Sequence, residues 1–163
     1  MSEESVRAFF AENAPDIQIE KLDRSSETSW LSAAWNIKPA QIAKTLSLRV
    51  GERSVMLVTC GDSRLDNGKI KAVLGGKAKM LRSDEASAIT GHTVGGICPF
   101  GLATPLPVYC DVLLREFDLV VTGAGSTRCA IKIAPERMAE LAGATWVDVC
   151  EDLAPRREQA ERW

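Results

Sequence analysis

Residues 44–60, KTLSLRVGERSVMLVTC, contain two runs that predict the centre of a β-sheet. In the first run Leu46, Leu48 and Val50 alternate with polar residues, which is the period of a strand with one apolar face. The second run, SVMLVTC at 54–60, is apolar enough for a strand buried on both faces. Because only the short turn GER separates the two runs, we expect them to pair as a β-hairpin.

Lys44 interrupts the apolar face of the first run. It has the same parity as Leu46 and Leu48, so a regular strand directs its ammonium toward the apolar side. A lysine is almost never fully buried without a partner. Two interpretations stay open: the residue precedes the strand and extends to water, or it stands at the mouth of an apolar pocket, aimed at an anionic or carbonyl group.

Short helices and further strands are indicated on both sides of the hairpin. We expect Ile70, Val73 and Leu74 to face the core from one helix, and Ser83 to cap the next. Apolar spacing, caps and terminal glycines indicate helices in an N-terminal segment containing Val6, Phe9 and Phe10 and at 29–36, 65–76, 83–91 and 135–141. Strands are indicated at 117–123, 129–134 and 146–150.

This interleaving predicts a mixed α/β or α+β domain rather than a Rossmann fold. The chain of 163 residues is 45% hydrophobic and 26% charged, which suits one globular domain. We assign residues 1–151 to that domain and 152–163 to a polar C-terminal tail. No run has the length of a membrane span, and the N-terminus has no signal-peptide pattern, so a cytoplasmic protein is expected.

Positive charge is concentrated between Arg64 and Arg82, where six basic residues face a single acid, Asp66. The net charge of −2 argues against a globally basic nucleic-acid binder such as a DNA-binding protein. The basic stretch is either a solvated helix face or a local patch for the phosphates of tRNA. The residues predicted for that patch are Lys69, Lys71, Lys77, Lys79 and Arg82.

Several kinds of catalytic site do not fit the sequence. His92 is the single histidine and the five cysteines are widely spaced, so no zinc or CxxC motif is present and no metal is expected. We expect the cysteines to be mostly small buried residues. His92 and Cys98 could at most form a Cys–His pair. The run GAGSTR at 123–128 is better explained as a turn between two strands than as a nucleotide loop.

Four segments of the chain carry a resemblance to a known family. They are QIAKTLSL (41–48), GDSRLDNGKIKAVLGGKAKML (61–81), GHTVGGICPFG (91–101) and GAGSTRCAIKIAP (123–135). In order and spacing, over roughly residues 25–150, they resemble the YbaK/EbsC family, the free-standing relatives of the prolyl-tRNA synthetase editing domain. The resemblance implies a mixed, partly barrel-like sheet flanked by short helices.

The resemblance also implies an activity, which is hydrolysis of the ester joining a wrongly attached small amino acid to tRNA-Pro or a related tRNA. The reaction would need neither metal nor cofactor. The expected partners are the mischarged tRNA and, transiently, prolyl-tRNA synthetase or another synthetase. Matching motif positions give Lys44, Gly95 and Gly96 as catalytic residues. They give as substrate-binding residues Thr45, Ile97, Cys98, Pro99, Gly125, Ser126 and Thr127.

Physical reasoning supports such a loop in a hydrolase without a metal. Glycines let the backbone approach a ligand closely and Pro99 restricts the chain, so the 95–101 loop can aim N–H groups at a carbonyl oxygen. We therefore expect Lys44 and this loop to border one cavity. Two alternatives stay open, a module of the same fold that binds aminoacyl or nucleotide ends without hydrolysis, and a thiol hydrolase that depends on Cys98.

Overall fold

An eight-stranded mixed β-sheet organises the protein. The computed structural model describes residues 2–22, 33–92, 97–126 and 128–151. The strands in these ranges are β1 (Glu20–Lys21), β2 (Ile42–Val50), β3 (Arg53–Cys60), β4 (Ala78–Met80), β5 (Val108–Asp111), β6 (Val120–Gly123), β7 (Cys129–Ile133) and β8 (Thr145–Val147). Across the sheet their order is β1-β7-β6-β2-β3-β5-β8, and β4 pairs with β2 outside this path.

β2 and β3 form the predicted hairpin at the centre of the sheet. They pair antiparallel, with Leu46 opposite Leu57 and Ala43 opposite Cys60. β2 also pairs in parallel with the start of β6, and β3 pairs in parallel with β5. Since the β6–β7 and β2–β4 pairs are antiparallel, the sheet is mixed, and the expectation of a mixed α+β fold is confirmed.

The two faces of the hairpin are covered by different apolar clusters. One cluster contains Leu48, Val55 and Leu57 and is completed by Ile70 and Leu74 from the helix after the hairpin. The opposite face carries Ala43, Met56, Val58 and Cys60, which belong to a larger cluster with the N-terminal helix and residues 98–100. Burial on both faces explains why the second run of the hairpin has no polar alternation.

Four described helices flank the sheet. Asp66 caps the second of them, its side chain accepting a hydrogen bond from the Lys69 N–H, and the last three helices each end at a left-handed glycine, as the sequence predicts. The helices are α1 (Ser2–Asn13), α2 (Asn67–Leu74), α3 (Ser83–Thr90) and α4 (Pro135–Ala142).

Two predicted details of these helices are wrong. Val73 is 48% exposed, whereas Ile70 and Leu74 are buried, because a short amphipathic helix turns only a narrow stripe to the core. Ser83 lies inside α3 rather than at its cap, which is Arg82 without a side-chain cap bond. The acids Asp84 and Glu85 stand in the first turn, where they favour the positive end of the helix dipole.

Several short elements of the structure are not predicted from the sequence. These are β1, β4, β5 and two 3-10 turns at Pro39–Gln41 and Val112–Glu116. The strand expected at 146–150 is β8 over Thr145–Val147, followed by an isolated bridge between Cys150 and Leu65. The first half of the helix expected at 29–36 (residues 29–32) and the whole tail at 152–163 lie outside the described residues.

All five cysteines are free and buried, as expected. Among the described helices, none is long and apolar enough to cross a membrane.

Candidate active site

Lys44 lies near the start of β2 and has a specific partner. Its register opposite Thr59 places it on the hairpin face of Leu46 and Leu57, as its parity predicts. The side chain is half-buried, and its Nζ donates a hydrogen bond to the backbone carbonyl of Ser63 at 2.9 Å. The ammonium is therefore oriented by the turn that follows β3.

That turn is fixed by the C-terminal segment of the domain. The Asp66 N–H donates to the carbonyl of Val149, and the Glu151 N–H donates to the carbonyl of Arg64, both at 2.8 Å. The Val149 N–H in turn donates to the buried carboxylate of Asp111 at 3.0 Å. A chain of hydrogen bonds thus runs from Asp111 to the segment carrying the partner of Lys44.

A close approach at the start of the same turn requires glycine. A Cβ added to Gly61 would lie 2.6 Å from the carbonyl oxygen of Pro39 and 2.9 Å from that of Ile42. Both neighbours are backbone atoms, which cannot rotate away. Gly61 therefore holds the turn against the entry into β2, two residues before Lys44.

Thr45 points to the other face of the hairpin. It pairs with Val58, and its Oγ1 is buried without a hydrogen-bond partner in the part of the chain that the structure describes. Leaving a buried hydroxyl unsatisfied costs about 1–3 kcal/mol, so such groups call for an explanation. A substrate able to bond to Thr45 would remove that cost.

Residues 97–101 are the described part of the predicted aminoacyl loop, and they are tightly packed. Ile97 is half-buried, whereas Cys98, Pro99 and Phe100 are buried. The Phe100 ring meets the Phe10 ring of α1 edge-on, with the centroids 4.8 Å apart. An N-terminal helix therefore supports this half of the loop.

Gly101 allows this segment to approach α1 closely. It has a φ of +60°, and a Cβ there would lie 2.8 Å from the carbonyl oxygen of Ser5. Both the left-handed backbone and the space next to the helix require glycine. The C-terminal end of the loop is thus fixed on the N-terminal helix.

Cys98 and His92 meet under the same loop. The His92 Nε2 lies 2.7 Å from the carbonyl oxygen of Phe100 and 3.7 Å from the Cys98 Sγ. Because a carbonyl only accepts, Nε2 carries the proton and donates it. Burial raises the pKa of the Cys98 thiol to about 12, and burial also lowers the pKa of His92. Both groups are neutral, which is the opposite of a thiolate–imidazolium pair.

The β6–β7 turn brings the last predicted segment to this cluster. The backbone of Gly125 lies within hydrogen-bonding reach of the Cys98 thiol and contributes to its pKa. Ser126 accepts a hydrogen bond from the Arg128 N–H through its Oγ, at 3.2 Å. The prediction that GAGSTR forms a turn between two strands is confirmed, and Cys98 joins the two glycine-containing segments.

The structure brings together some of the predicted site residues and is silent on others. Gly95, Gly96 and Thr127 lie outside the described residues. Lys44 lies on the hairpin face of Leu46 and Leu57, whereas Cys98 and Phe100 belong to the apolar cluster on the opposite face. A cavity shared by Lys44 and the loop stays a prediction. Sequence reasoning did not single out Asp111, because an isolated aspartate after an unrecognised short strand carries no local signal.

The five residues of the predicted tRNA patch differ in their surroundings. Lys69 binds Asp148 at 3.0 Å and donates to the carbonyl of Cys150. Arg82 pairs with Asp84 and Glu85. Three lysines of the patch are exposed and form no ion pair among the described residues: Lys71, Lys77 and Lys79.

Comparison with known proteins decides the family. The model of the family described as "Aminoacyl-tRNA editing domain" matches residues 26–141. The chain belongs to this family. The match spans Lys44, the 97–101 segment and the β6–β7 turn, whereas the supporting contacts from α1 and from residues 149–151 lie outside the matched residues.

Individual relatives of this editing domain agree with the assignment. "Uncharacterized protein YwhH" of Bacillus subtilis (strain 168) is 37% identical over 155 residues, covering 93% of this chain and 99% of the relative. A proline–tRNA ligase of Bacillus cytotoxicus is 33% identical over 82 residues, which are 50% of this chain and only 14% of the ligase.

Solved structures show the same fold. A crystal structure described as "a putative trans-editing enzyme for prolyl tRNA synthetase" superposes with a TM-score of 0.86 at 25% identity, over 93% of this chain and 98% of the other. The "hypothetical protein APE2540" superposes with a TM-score of 0.83 at 23% identity, over 90% of this chain and 99% of the other. The second likeness concerns the fold alone.

Proposed function

We propose that this editing domain is a free-standing deacylase that hydrolyses the ester between a wrongly attached small amino acid and tRNA. The observation that carries the proposal is the meeting of the 97–101 segment and the β6–β7 turn at Cys98, in a chain of the aminoacyl-tRNA editing family. The likeness to proline–tRNA ligases favours tRNA-Pro or a related tRNA as substrate. It also favours a synthetase of that kind as a transient partner in the cytoplasm.

The proposed reaction is a direct attack of water on the ester. The water oxygen forms a bond to the ester carbonyl carbon, and the bond from that carbon to the ribose oxygen breaks. One proton of the water passes to the ribose oxygen, so the products are the free amino acid and uncharged tRNA. An aminoacyl ester is already activated, and positioning with donors for the developing oxyanion supplies much of the acceleration.

Lys44 is the proposed positioning cation of this reaction. Its ammonium has three donors, of which the bond to the Ser63 carbonyl uses one. The remaining donors can face a carbonyl or phosphate oxygen of the bound aminoacyl end. Thr45 is the proposed substrate contact on the opposite face of the hairpin, where its Oγ1 has no partner among the described residues.

Cys98 is not the proposed nucleophile. Its side chain is fully buried and its pKa of about 12 leaves almost no thiolate near neutral pH. We assign it instead to packing between the loop and the β6–β7 turn. Selection of the amino acid is proposed to depend on the size of the pocket. Such a pocket excludes larger side chains but separates serine, alanine and cysteine poorly.

A deacylation panel tests the proposal. Purified protein is mixed with tRNAs charged with Ala, Ser, Thr, Cys or Pro, and release of the amino acid is followed at neutral pH. We expect hydrolysis of at least one tRNA carrying a small wrong amino acid and little of correctly charged Pro-tRNA. Tight binding of the charged tRNAs without release of any amino acid would instead indicate a module that only binds.

The Lys44→Ala variant extends the test to the site. We expect it to lower turnover by roughly a hundredfold or more while leaving the fold intact, because a charge-assisted contact used in the transition state is lost. Lys21→Ala, which changes an exposed lysine on β1, serves as the matched control for loss of one positive charge. Turnover of Lys44→Ala equal to that of the control would exclude the proposed role.

A further inference from the structure

A basic groove lies at the far end of the central hairpin from Lys44. It has a volume of about 700 Å³ and lies between the β2–β3 turn, the C-terminal end of α2 and β4. Its charged lining consists of Arg49, Arg53, Lys77, Lys79 and Glu52. Four cations against one carboxylate give the groove a strong preference for anions.

Two of these cations are held in place by the protein. The Arg53 Nη2 donates to the carbonyl of Leu74 at 2.7 Å, at the C-terminal end of α2. The Arg49 Nη2 binds the carboxylate of Glu85 at 2.7 Å. A guanidinium has five donors in a fixed plane, so each keeps N–H groups free for a second acceptor.

The two lysines have no such partner. Lys77 and Lys79 are exposed, and no carboxylate lies within 4.0 Å of either in the described ranges, in contrast to Lys69 and Arg82. Lys77 directly precedes β4 and Lys79 is its second residue, and the last residue of this strand, Met80, is 60% exposed. Charges that are not neutralised within the protein are available to an external anion.

The floor of the groove is open to close approach. Gly51, Gly75 and Gly76 line it, and a Cβ added to Gly51 or Gly75 would meet nothing within 4 Å. A phosphate group can therefore reach the backbone between the cations. The apolar residues of the lining, Val50 and Leu74, are buried, so the side chains exposed in the groove are charged and favour a charged ligand over an apolar one.

The groove and Lys44 lie along the same strand but well apart. Lys44 lies near the start of β2 and Val50 is its last residue. The six residue steps of strand between them span about 20 Å. A ligand in both places must therefore be long, extended and repeatedly charged. Such a ligand has its reacting end at Lys44 and phosphates further along.

We propose that this groove binds the phosphate backbone of the tRNA several nucleotides away from the aminoacyl ester, an inference that rests on the proposed function. It replaces the patch predicted between Lys69 and Arg82 with a site formed by Arg49, Arg53, Lys77 and Lys79. Lys69, Lys71 and Arg82 are left out, since they do not line the groove. Phosphate contacts of this kind position the RNA without reading its sequence.

The test measures the affinity for uncharged tRNA at several salt concentrations. The variant Lys77→Gln/Lys79→Gln removes two charges from the groove, and Lys21→Gln/Lys132→Gln removes two exposed charges from β1 and β7 as the matched control. We expect the groove variant to bind roughly tenfold or more weakly. The slope of log K against log salt should flatten by about 2, since each lost phosphate contact contributes about 1.

The charge-preserving variant Lys77→Arg/Lys79→Arg should restore both the affinity and the slope. Equal affinities and slopes for the groove variant and the wild type would overturn the proposal, as would an equal loss in the control. A polyglutamate peptide that competes with tRNA as strongly as RNA itself would also overturn it, by showing a site for acidic protein segments. Uncharged tRNA binds without hydrolysis, so a failed deacylation panel does not affect this measurement.

Discussion

Cys98 shows how burial changes the role of a reactive residue. Its thiol lies between the carbonyl of Phe100, His92 and the backbone of Gly125. We expect Cys98→Ala to keep most of its deacylation activity, with a loss of stability of about 1 kcal/mol from the small cavity. Deacylation kinetics and urea unfolding of the same preparation check both parts.

The thiol mechanism makes the opposite prediction for the same variant. If Cys98 were the nucleophile, Cys98→Ala would be inactive although folded, and iodoacetamide would inactivate the native wild type. A pKa of about 12 instead predicts slow alkylation at pH 7 and no thiol titration in the pH–rate profile between pH 6 and 9.

His92 gives the stability of the protein a pH dependence. Burial lowers its pKa below the ordinary value of 6.5, so the unfolded chain binds the proton more readily than the folded one. The folded state therefore loses stability as the pH falls from about 6.5 toward the lowered pKa, by at most about 1.4 kcal/mol per pH unit.

Unfolding by urea between pH 7 and 5 measures this effect, with His92→Gln as the comparison. Because His92 is the single histidine, we expect the variant to be less stable at pH 7 and to show a flatter dependence on pH. The pKa values of Glu3 and Asp16 are lowered by hydrogen bonds to Cys129 and Arg137 respectively, so their contributions are lost at lower pH. Parallel curves for the two proteins would contradict this assignment.

At the residue scale, the sequence predicts on which face of its strand a side chain such as Lys44 lies, but not the group to which that side chain binds. Alternation along β2 correctly placed Lys44 on the face of Leu46, because successive side chains of a strand point to opposite faces. The Ser63 carbonyl that binds its ammonium is positioned by pairing with residues 149–151. That pairing joins distant parts of the chain and leaves no local pattern.

At the scale of elements, the contact between α1 and the 97–101 segment is open to a matched test. Gly101 and Gly143 have φ values of +60° and +64°, but only a Cβ at Gly101 meets another atom, the Ser5 carbonyl oxygen at 2.8 Å. Gly143→Ala should cost about 1 kcal/mol, the strain of a left-handed alanine. Gly101→Ala should cost clearly more, on the order of 3 kcal/mol, because α1 must also shift.

Chemical denaturation of the two variants measures the difference. Equal losses of stability would show that α1 does not rest on this segment in solution. If it does rest there, Gly101→Ala should also reduce deacylation more than Gly143→Ala, because the loop loses its support.

Long elements with strong periodicity could be predicted, and short ones could not. The hairpin, α2 and α4 each combine a clear apolar pattern with a turn or a glycine stop. β1 and β4 have two and three residues and exist because β7 and β2 offer them an edge. Propensity is a weak guide when pairing decides the conformation, and the same applies to β5.

At the scale of the whole molecule, we predict a reaction that survives thorough chelation. The prediction rests on the single histidine and on the wide spacing of the cysteines in the sequence. In the described ranges no three potential metal ligands come together. Deacylation measured before and after dialysis against EDTA checks the prediction, and activity lost on chelation and restored by one added metal would overturn it.

The pairing of β1 with β7 has a consequence for how the protein is made. The β2–β3 hairpin can form as soon as it leaves the ribosome, but Glu20 must wait for Ala130, and Phe10 must wait for Phe100. Contacts so distant in sequence slow folding. A nascent chain halted before residue 129 exposes an unpaired edge on β6, which is prone to aggregation, and leaves α1 without its β7 neighbour Cys129. The sheet is therefore completed only after β7 has emerged, and shielding by a chaperone until then should raise the yield.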